Sequence, residues 1–403
     1  MAFQDLVSSI RVIRKSGSKT LVILPFYTEY GHLARHLSLL RKQTSRDFDL
    51  LIVMNAVTDE TRAASIAEPA ASDFGVILAK RKEDTGSAGG FSAGQLYALE
   101  NGYEWMVFTD SDCYPADERL IENLLANRQK GYVRPECRLM SDGRAVEVNR
   151  GGNVAFYSLL SSQLVRKYGI YYAPIYYGAD DLEYIERIRE TPFNVHSFCQ
   201  HPYPAGAYRN FDKYVLYLVH LLIFTRNARS FLNNIVNLTV SLPVFLLFLP
   251  PYGRKGHWGA IRCLLAGIYG KPAVEALRTR YQDSITGPDL EGFAAVSFES
   301  SYGSDTSYAS SLMRPISHFR KDVIIEKSYS GFLTTLAALA ARRAYCRLDG
   351  KALLLADNSN PLIHALRLAL FLAYVPLLAF FFAPLFTLLK CLRQPKTMRY
   401  GLE

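Results

Sequence analysis

The sequence has little that would mark a secreted, nucleotide-hydrolysing or nucleic-acid-binding protein. Its six cysteines, Cys113, Cys137, Cys199, Cys263, Cys346 and Cys391, include no CxxC pair. Spacing therefore points to neither a zinc site nor a disulfide frame, and they read as reduced thiols of a cytosolic protein. No long apolar stretch with a cleavage site opens the chain, which predicts no secretory signal. No Gly-Lys-Ser/Thr follows the glycine-rich run near residue 86, which excludes a Walker loop. Lys and Arg outnumber Asp and Glu, 46 to 37, for a formal net charge of +9. Yet no Lys/Arg block stands out as a nucleic-acid arm. Basic residues instead flank apolar stretches: Arg226, Arg229, Arg254 and Lys255, then Lys390, Arg393, Lys396 and Arg399. That distribution suits an anionic membrane surface, and an ordinary solvated basic surface also fits it.

What is present is a chain of 403 residues, 49% hydrophobic, long enough for two or three units. Residues 1–19 read as a short surface lead-in. Leu21-Val-Ile-Leu24, Leu50-Leu-Ile-Val-Met54, Val76-Ile-Leu-Ala79 and Trp105-Met-Val-Phe108 are short apolar runs that predict buried parallel strands. Helices are expected between them, from about Glu29 to Lys42 and from about Phe91 to Asn101. Strands alternating with helices predict an α/β sheet whose ligands gather beyond the strands' carboxyl ends. This unit is expected to run from 20 to 210. Residues 214–253 are apolar and aromatic, and 211–295 is expected to be a helical membrane-proximal region. Asn233, Asn234 and Asn237 favour helices lying at an interface over a lone span. In the C-terminal region, 296–403, residues 297–311 read as a Ser/Tyr/Gly loop. Leu368 to Leu389 is uncharged, apolar and interrupted by Pro376. A spanning helix, a re-entrant hairpin and a buried core helix all fit it.

Two motifs fall at strand ends. Asp110-Ser111-Asp112 follows the fourth strand; carboxylates one residue apart can share a hard divalent cation, Mg²⁺ or Mn²⁺, bridging to a diphosphate. The same triplet also fits a helix N-cap or turn. Asp84-Thr-Gly-Ser-Ala-Gly-Gly-Phe-Ser-Ala-Gly94 follows the third strand. Its glycines, Gly86, Gly89, Gly90 and Gly94, would let backbone approach a phosphate or sugar closely. A flexible loop before a helix is the plainer alternative.

Leu-Pro-Phe-Tyr, Val-Met-Asn-Ala, Asp-Thr-Gly-Ser-Ala-Gly-Gly-Phe and Thr-Asp-Ser-Asp, in that order, resemble the inverting GT-A glycosyltransferases of family 2. The rhamnosyl- and galactofuranosyltransferase branch is the most similar. Asp180-Asp181-Leu182-Glu183 and the aromatic stretch from Tyr217 to Arg226-Asn227 extend the resemblance, which covers roughly residues 20–270.

The resemblance implies a GT-A fold, a mostly parallel sheet flanked by helices, with a C-terminal helical, membrane-associated region. It implies transfer from a nucleotide sugar, a UDP- or dTDP-sugar, to a lipid-linked or cell-envelope glycan at the cytoplasmic face of the membrane. Mn²⁺ or Mg²⁺ would be the cofactor, and no nucleic acid is involved. A homo-oligomer stays open. Pro25, Phe26 and Tyr27 would line the nucleobase pocket with Asn55 near the base or ribose. Asp84, Gly86, Gly89 and Gly90 would border the diphosphate and donor sugar. Asp110 and Asp112 would hold ribose and metal, Asp112 being the stronger ligand. Gly151 and Gly152 would shape the acceptor side. His201 resembles a late metal-binding histidine, with His196 as a rival. The Asp180, Asp181, Glu183 group would supply the catalytic base, the second Asp preferred. Three positions depart from the family pattern: Tyr27-Thr28-Glu29 after the first strand, Asp84 in place of Asn, and Asn55 in place of Asp. All three bear on the nucleobase side.

Two other functions compete. A sugar-phosphate nucleotidyltransferase needs a glycine-rich signature with Arg and Lys after the first strand, and Leu24-Pro-Phe-Tyr-Thr-Glu lacks it. A non-catalytic membrane-associated scaffold could retain the fold, although both carboxylate motifs are intact.

Overall fold

The structure is a computed structural model. It describes residues 2–202 apart from 56, 58, 142–143, 150–152, 176–179 and 189. Beyond these it describes a few positions between 219 and 239, then 294–296, 343–348, 351–356 and 361–393. The chain divides into two compact units, one reaching Tyr203 and the other spanning Pro204–Gln394.

The first unit is α/β. Helix α1 (Phe3–Leu6) leads into β1 (Val7–Arg14) and β2 (Thr20–Phe26). Then come α2 (Tyr30–Leu40), β3 (Asp49–Met54), α3 (Glu60–Ala67), β4 (Gly75–Arg81), α4 (Gly86–Glu100) and β5 (Trp105–Thr109). The four apolar runs expected to be strands are β2, β3, β4 and β5. They pair in parallel in the order β4-β3-β2-β5, and β2 and β3 are buried at every position. Continuous Val, Ile and Leu runs suit strands covered on both faces. One side is packed by Leu33, Leu37 and Leu40 of α2, the other by Phe91, Leu96 and Leu99 of α4.

The chain leaves β2 toward β3 and β4, then returns to β5 on the other flank of β2. This reversal creates a crevice at the carboxyl ends of β2 and β5, where open α/β sheets take ligands. Beyond β5 the sheet continues through β6 (Tyr114–Pro115), α5 (Leu120–Ala126), β7 (Tyr132–Ser141), β8 (Arg144–Asn149), β9 (Phe156–Ser161), α6 (Ser162–Tyr168), α7 (Asp180–Ile188) and β10 (Phe193–Pro202). β9 runs antiparallel to β5 and β7, whereas β10 runs parallel to β7.

Two expectations are corrected. Val7–Arg14, within the expected surface lead-in, forms the edge strand β1 antiparallel to β4. Its mixed polar pattern hid it, because only Val7 of the strand is buried. Helix α4 starts at Gly86, well before the expected Phe91, so the glycine-rich run is the helix's first turns rather than a loop. Close packing decides this: a Cβ at Gly94 would lie 2.2 Å from Cγ2 of Ile23. Glycine tolerates a backbone contact that no other residue could make.

In the second unit, β11 (Ala294–Val296), β12 (Arg343–Leu348) and β13 (Lys351–Ala356) form an antiparallel sheet in the order β11-β13-β12. Helix α8 (Pro361–Arg393) runs unbroken for 33 residues through Pro376 and Pro384. The proline break that would make a hairpin is therefore not there. Leu368–Leu389 is long and apolar enough to cross a membrane by length and composition, and only 17% of its most apolar window is buried. That level of exposure does not fit a buried core helix. The expected interfacial helices at 230–253 and the loop at 297–311 lie almost wholly outside the described residues.

Candidate active site

The crevice between β2 and β5 collects most of the residues singled out in the sequence. On its β2 side, Pro25 and Phe26 close the strand. Phe26 is buried and meets Tyr30 edge-on at 5.3 Å, so its ring belongs to the core rather than to an open pocket; Tyr27, the next residue, is 36% exposed. Asn55 follows β3 directly. Its backbone N–H donates to the Phe26 carbonyl at 2.7 Å, and its Nδ2 donates to the Gly86 carbonyl at 3.0 Å. The other side-chain atom, Oδ1, is buried without a hydrogen-bond partner among the described residues. A buried acceptor left alone costs about 1–3 kcal/mol, which is worth retaining where a ligand donates to it.

Asp84 accepts from the Gly86 N–H at 2.9 Å and so sets the start of α4. A Cβ at Gly89 would collide with the Thr85 side chain. One at Gly90 would lie 2.7 Å from Pro25 Cβ and 2.8 Å from Asn55 Nδ2. Gly90 thus lets the helix close on the strand ends that hold Pro25 and Asn55, and Gly89 leaves room for Thr85. Sequence reasoning missed Arg81, the last residue of β4, which is buried and donates from Nη2 to Thr85 Oγ1 at 2.9 Å. The signal was available: an arginine closing an apolar strand just before the glycine run.

On the β5 side, Asp110 and Asp112 follow the strand. The Asp110 N–H donates to the Ala155 carbonyl at 3.0 Å, which ties the turn to β9. His201 comes from β10, whose alternation buries Val195, Ser197, Cys199 and His201 on one face. His196 is exposed on the other face, so strand geometry separates the two rivals. His201 Nε2 lies 3.1 Å from Asp112 Oδ1, and its Nδ1 lies 2.8 Å from the Pro202 carbonyl. A carbonyl can only accept, so Nδ1 donates to it, and Nε2 is the nitrogen that faces Asp112 and is placed to coordinate a metal. One ligand atom each from Asp110, Asp112 and His201 lie within 4.8 Å of one another. Two carboxylates and an imidazole at that separation fit one divalent cation.

Helix α7 supplies the remaining acids. Asp180 is buried and its Oδ2 accepts from Ser87 Oγ, in the first turn of α4, at 2.8 Å. Asp181 Oδ1 accepts from the Tyr171 hydroxyl at 2.6 Å. Burial first, and then the Asp180 charge, push the Asp181 carboxyl up to about 8, against the pull of the Tyr171, Ala155 and Asn153 hydrogen bonds. Asp110 is likewise held well above the usual carboxylate range by burial, followed by the Asp181, Asp112 and Asp180 charges. Asp110, Asp112, Asp180 and Asp181 therefore converge on one crevice. Glu183 is different: both its oxygens accept from Arg187, at 2.8 Å each. Arg187 also donates to the Tyr168 and Ile170 carbonyls. Glu183 thus anchors α7 in the structure instead of facing the crevice as a free acid. Gly151 and Gly152 lie outside the described residues.

Residues 21–138 match the model of the family described as Glycosyl transferase family 2. Galactofuranosyltransferase GlfT1 of Mycobacterium tuberculosis strain H37Rv is 33% identical over 100 residues, 24% of this chain and 32% of that protein. The Mycolicibacterium smegmatis GlfT1 is 32% identical over 94 residues, 23% of this chain and 30% of that protein. The chain thus matches only about a third of these curated relatives' length. Among solved structures, the mannosyltransferase PcManGT from Pyrobaculum calidifontis, in complex with GDP-Man and Mn²⁺, has a TM-score of 0.39 at 18% identity. It covers 70% of this chain and 85% of its own. Residues 1–349 of Staphylococcus aureus TarS, in complex with UDP-GlcNAc, give a TM-score of 0.41 at 14% identity, covering 64% and 83%.

Proposed function

We propose that this chain, which belongs to the family 2 glycosyltransferases, moves a sugar from a nucleotide-sugar donor to a lipid-linked or cell-envelope glycan with inversion at the anomeric carbon. The observation that carries this reading is the convergence of Asp110, Asp112 and His201 at one end of the crevice with Asp181 in the same crevice. Direct displacement at a sugar carbon needs a stabilised leaving diphosphate and a deprotonated acceptor hydroxyl. The crevice has residues for both.

Pro25, Asn55 and Tyr27 form the nucleoside side. Asn55 Oδ1 is an acceptor suited to an N–H of the base or a ribose hydroxyl. The glycine-rich first turns of α4 present a helix N-terminus to the diphosphate, where backbone N–H groups and the helix dipole favour negative charge. Asp110, Asp112 and His201 would hold the divalent cation. The imidazole favours Mn²⁺ over Mg²⁺, which prefers an all-oxygen shell. Bound there, the cation would offset the charge that builds on the leaving diphosphate. Asp181 takes the acceptor hydroxyl's proton. Its raised pKa keeps it basic enough to accept a proton near neutrality, and the Tyr171 hydroxyl helps to orient its carboxylate.

UDP- and dTDP-sugars are the expected donors. Helix α8, with Lys390 and Arg393 at its end, suits association with a membrane, and cytosolic donors put the catalytic unit on the cytoplasmic face. A donor panel with the full-length protein, read as nucleoside diphosphate release with and without Mn²⁺, tests the reading. Release from one donor class that is restored by Mn²⁺ after chelation is the expected result. No release from any nucleotide sugar under either condition would sink it.

A further inference from the structure

We infer that Cys113, Cys137 and Cys199 form a second metal site, for one thiophilic d¹⁰ ion such as Zn²⁺ or Cd²⁺. The three sulfurs come from separate segments: the turn after β5, the middle of β7, and β10. Strand register sets Cys199 directly beside Cys137, and Cys199 opposite Pro115, two residues beyond Cys113. All three side chains are buried, and their sulfurs lie within 4.8 Å of one another. Around a single ion with metal–sulfur bonds of about 2.3 Å, tetrahedral ligands stand about 3.8 Å apart. Closing from the observed separation is a matter of rotamer adjustment.

The surroundings select the kind of ion. The thiols sit in the core beside Leu139, Phe156 and Tyr157, where a hard, strongly hydrated cation would lose its shell for poor ligands. Thiolates instead favour soft or borderline ions. A divalent ion that displaces three thiol protons to solvent is held by three thiolates, which leaves one net negative charge on the site. No oxidant or reductant is needed.

The position gives the site a use. Cys113 directly follows Asp112, and Cys199 shares a strand face with His201, two residues away, or about 7 Å along the strand. An ion joining Cys113 to Cys199 would pin together the two chain segments that carry Asp112 and His201. It would act as a structural clasp, distinct in ligand chemistry from the carboxylate–histidine group. The inference does not depend on what the carboxylate group binds.

The test titrates chelator-treated, reduced full-length protein with Cd²⁺ in excess Mn²⁺, which occupies oxygen-rich sites. One equivalent of Cd²⁺ per chain, with a thiolate-to-cadmium absorption band in the ultraviolet, is expected. Replacing Cys263, Cys346 and Cys391 together by serine should leave both unchanged, whereas Cys137→Ala should abolish both. Should Cys137→Ala not fold, alkylation of the wild-type protein in mild denaturant, mapped by mass spectrometry, decides the matter. Cd²⁺ should slow modification of Cys113, Cys137 and Cys199 at least tenfold. No band, a band that survives Cys137→Ala, a band lost with the three other cysteines, or unchanged alkylation would each overturn the site.

Discussion

Gly90→Ala tests whether the glycines of α4 exist to bring the helix onto the strand ends. The added methyl would lie 2.7 Å from Pro25 Cβ and 2.8 Å from Asn55 Nδ2, roughly 1 Å inside an ordinary carbon contact. Neither neighbour can yield freely. Pro25 is fixed in β2 opposite Val53, and Asn55 holds the Gly86 carbonyl. Overpacking of this kind costs about 1–3 kcal/mol. Losing the Asn55 hydrogen bond adds about 0.5–1.5 kcal/mol, and the helix preference for Ala over Gly returns about 1 kcal/mol. The balance is a loss of about 1–3 kcal/mol, or about 2–4 °C in Tm per kcal/mol for a unit of this size. Because Asn55 and Pro25 line the nucleoside side, donor affinity should fall about five- to tenfold as well, with each 1.4 kcal/mol worth a factor of ten. Gly31→Ala is the control. It is also helical, but a Cβ there meets nothing within 4 Å, so it should be neutral or stabilising by up to about 1 kcal/mol. Thermal denaturation and nucleotide titration of the two variants settle it. If Gly90→Ala is as stable as Gly31→Ala and binds nucleotide as wild type does, the close-approach argument fails.

Further predictions concern the acids and the membrane. Asp112→Ala should abolish donor turnover without lowering Tm by more than a few degrees, and full activity of wild-type protein in excess chelator would contradict metal dependence. Asp181→Asn should keep nucleotide binding and lose about 10²–10⁴ in turnover; near-wild-type turnover would move the base to another residue. With the Asp181 carboxyl at about 8, the rate of the wild-type enzyme should rise about tenfold per pH unit below that value and level off above it. The same shift has a stability consequence. Between the ordinary carboxylate range and about pH 8 the folded protein binds more protons than the unfolded chain, so stability falls as pH rises through that window. In metal-free buffer Asp181→Asn should flatten that fall and raise Tm at pH 8; an unchanged pH dependence would count against the buried, charge-crowded setting. Full-length protein should resist extraction from membranes by salt or carbonate, and complete recovery in the soluble fraction without detergent would argue against membrane association through α8.

The parallel heart of the fold was legible because its signals are local. Four apolar runs of five or so residues, each followed by a polar motif, are enough to place β2 to β5 and the crevice beyond them. Features that depend on distant partners were not legible. β1 is an edge strand whose exposed face carries Ser9 and Arg11, so its pattern is not that of a buried strand. The glycine run fits either a helix start or a loop until Ile23 and Pro25 are seen against it. The three buried cysteines share no motif, and the register of β10 with β7 and with β6 brings them together. For Asp180, Asp181 and Glu183 the motif marks a cluster of acids, and the i,i+4 spacing of Glu183 and Arg187 marks their pairing. What the spacing does not show is the contact of Asp180 with Ser87 and of Asp181 with Tyr171.

The hydrogen bond between Ser87 and Asp180 joins the turn proposed to hold the donor to the helix that carries the proposed base. Two ligand sites that share a bond cannot be filled independently. If donor binding strengthens or breaks that bond, acceptor affinity changes by the same free energy, and the effect is reciprocal. A hydrogen bond to a charged group is worth about 1.5–3 kcal/mol, so the coupling is bounded at about ten- to a hundredfold in affinity. The protein would then have a preferred order of filling, written into one hydroxyl and one carboxylate. Ser87→Ala would turn an ordered binding scheme toward a random one.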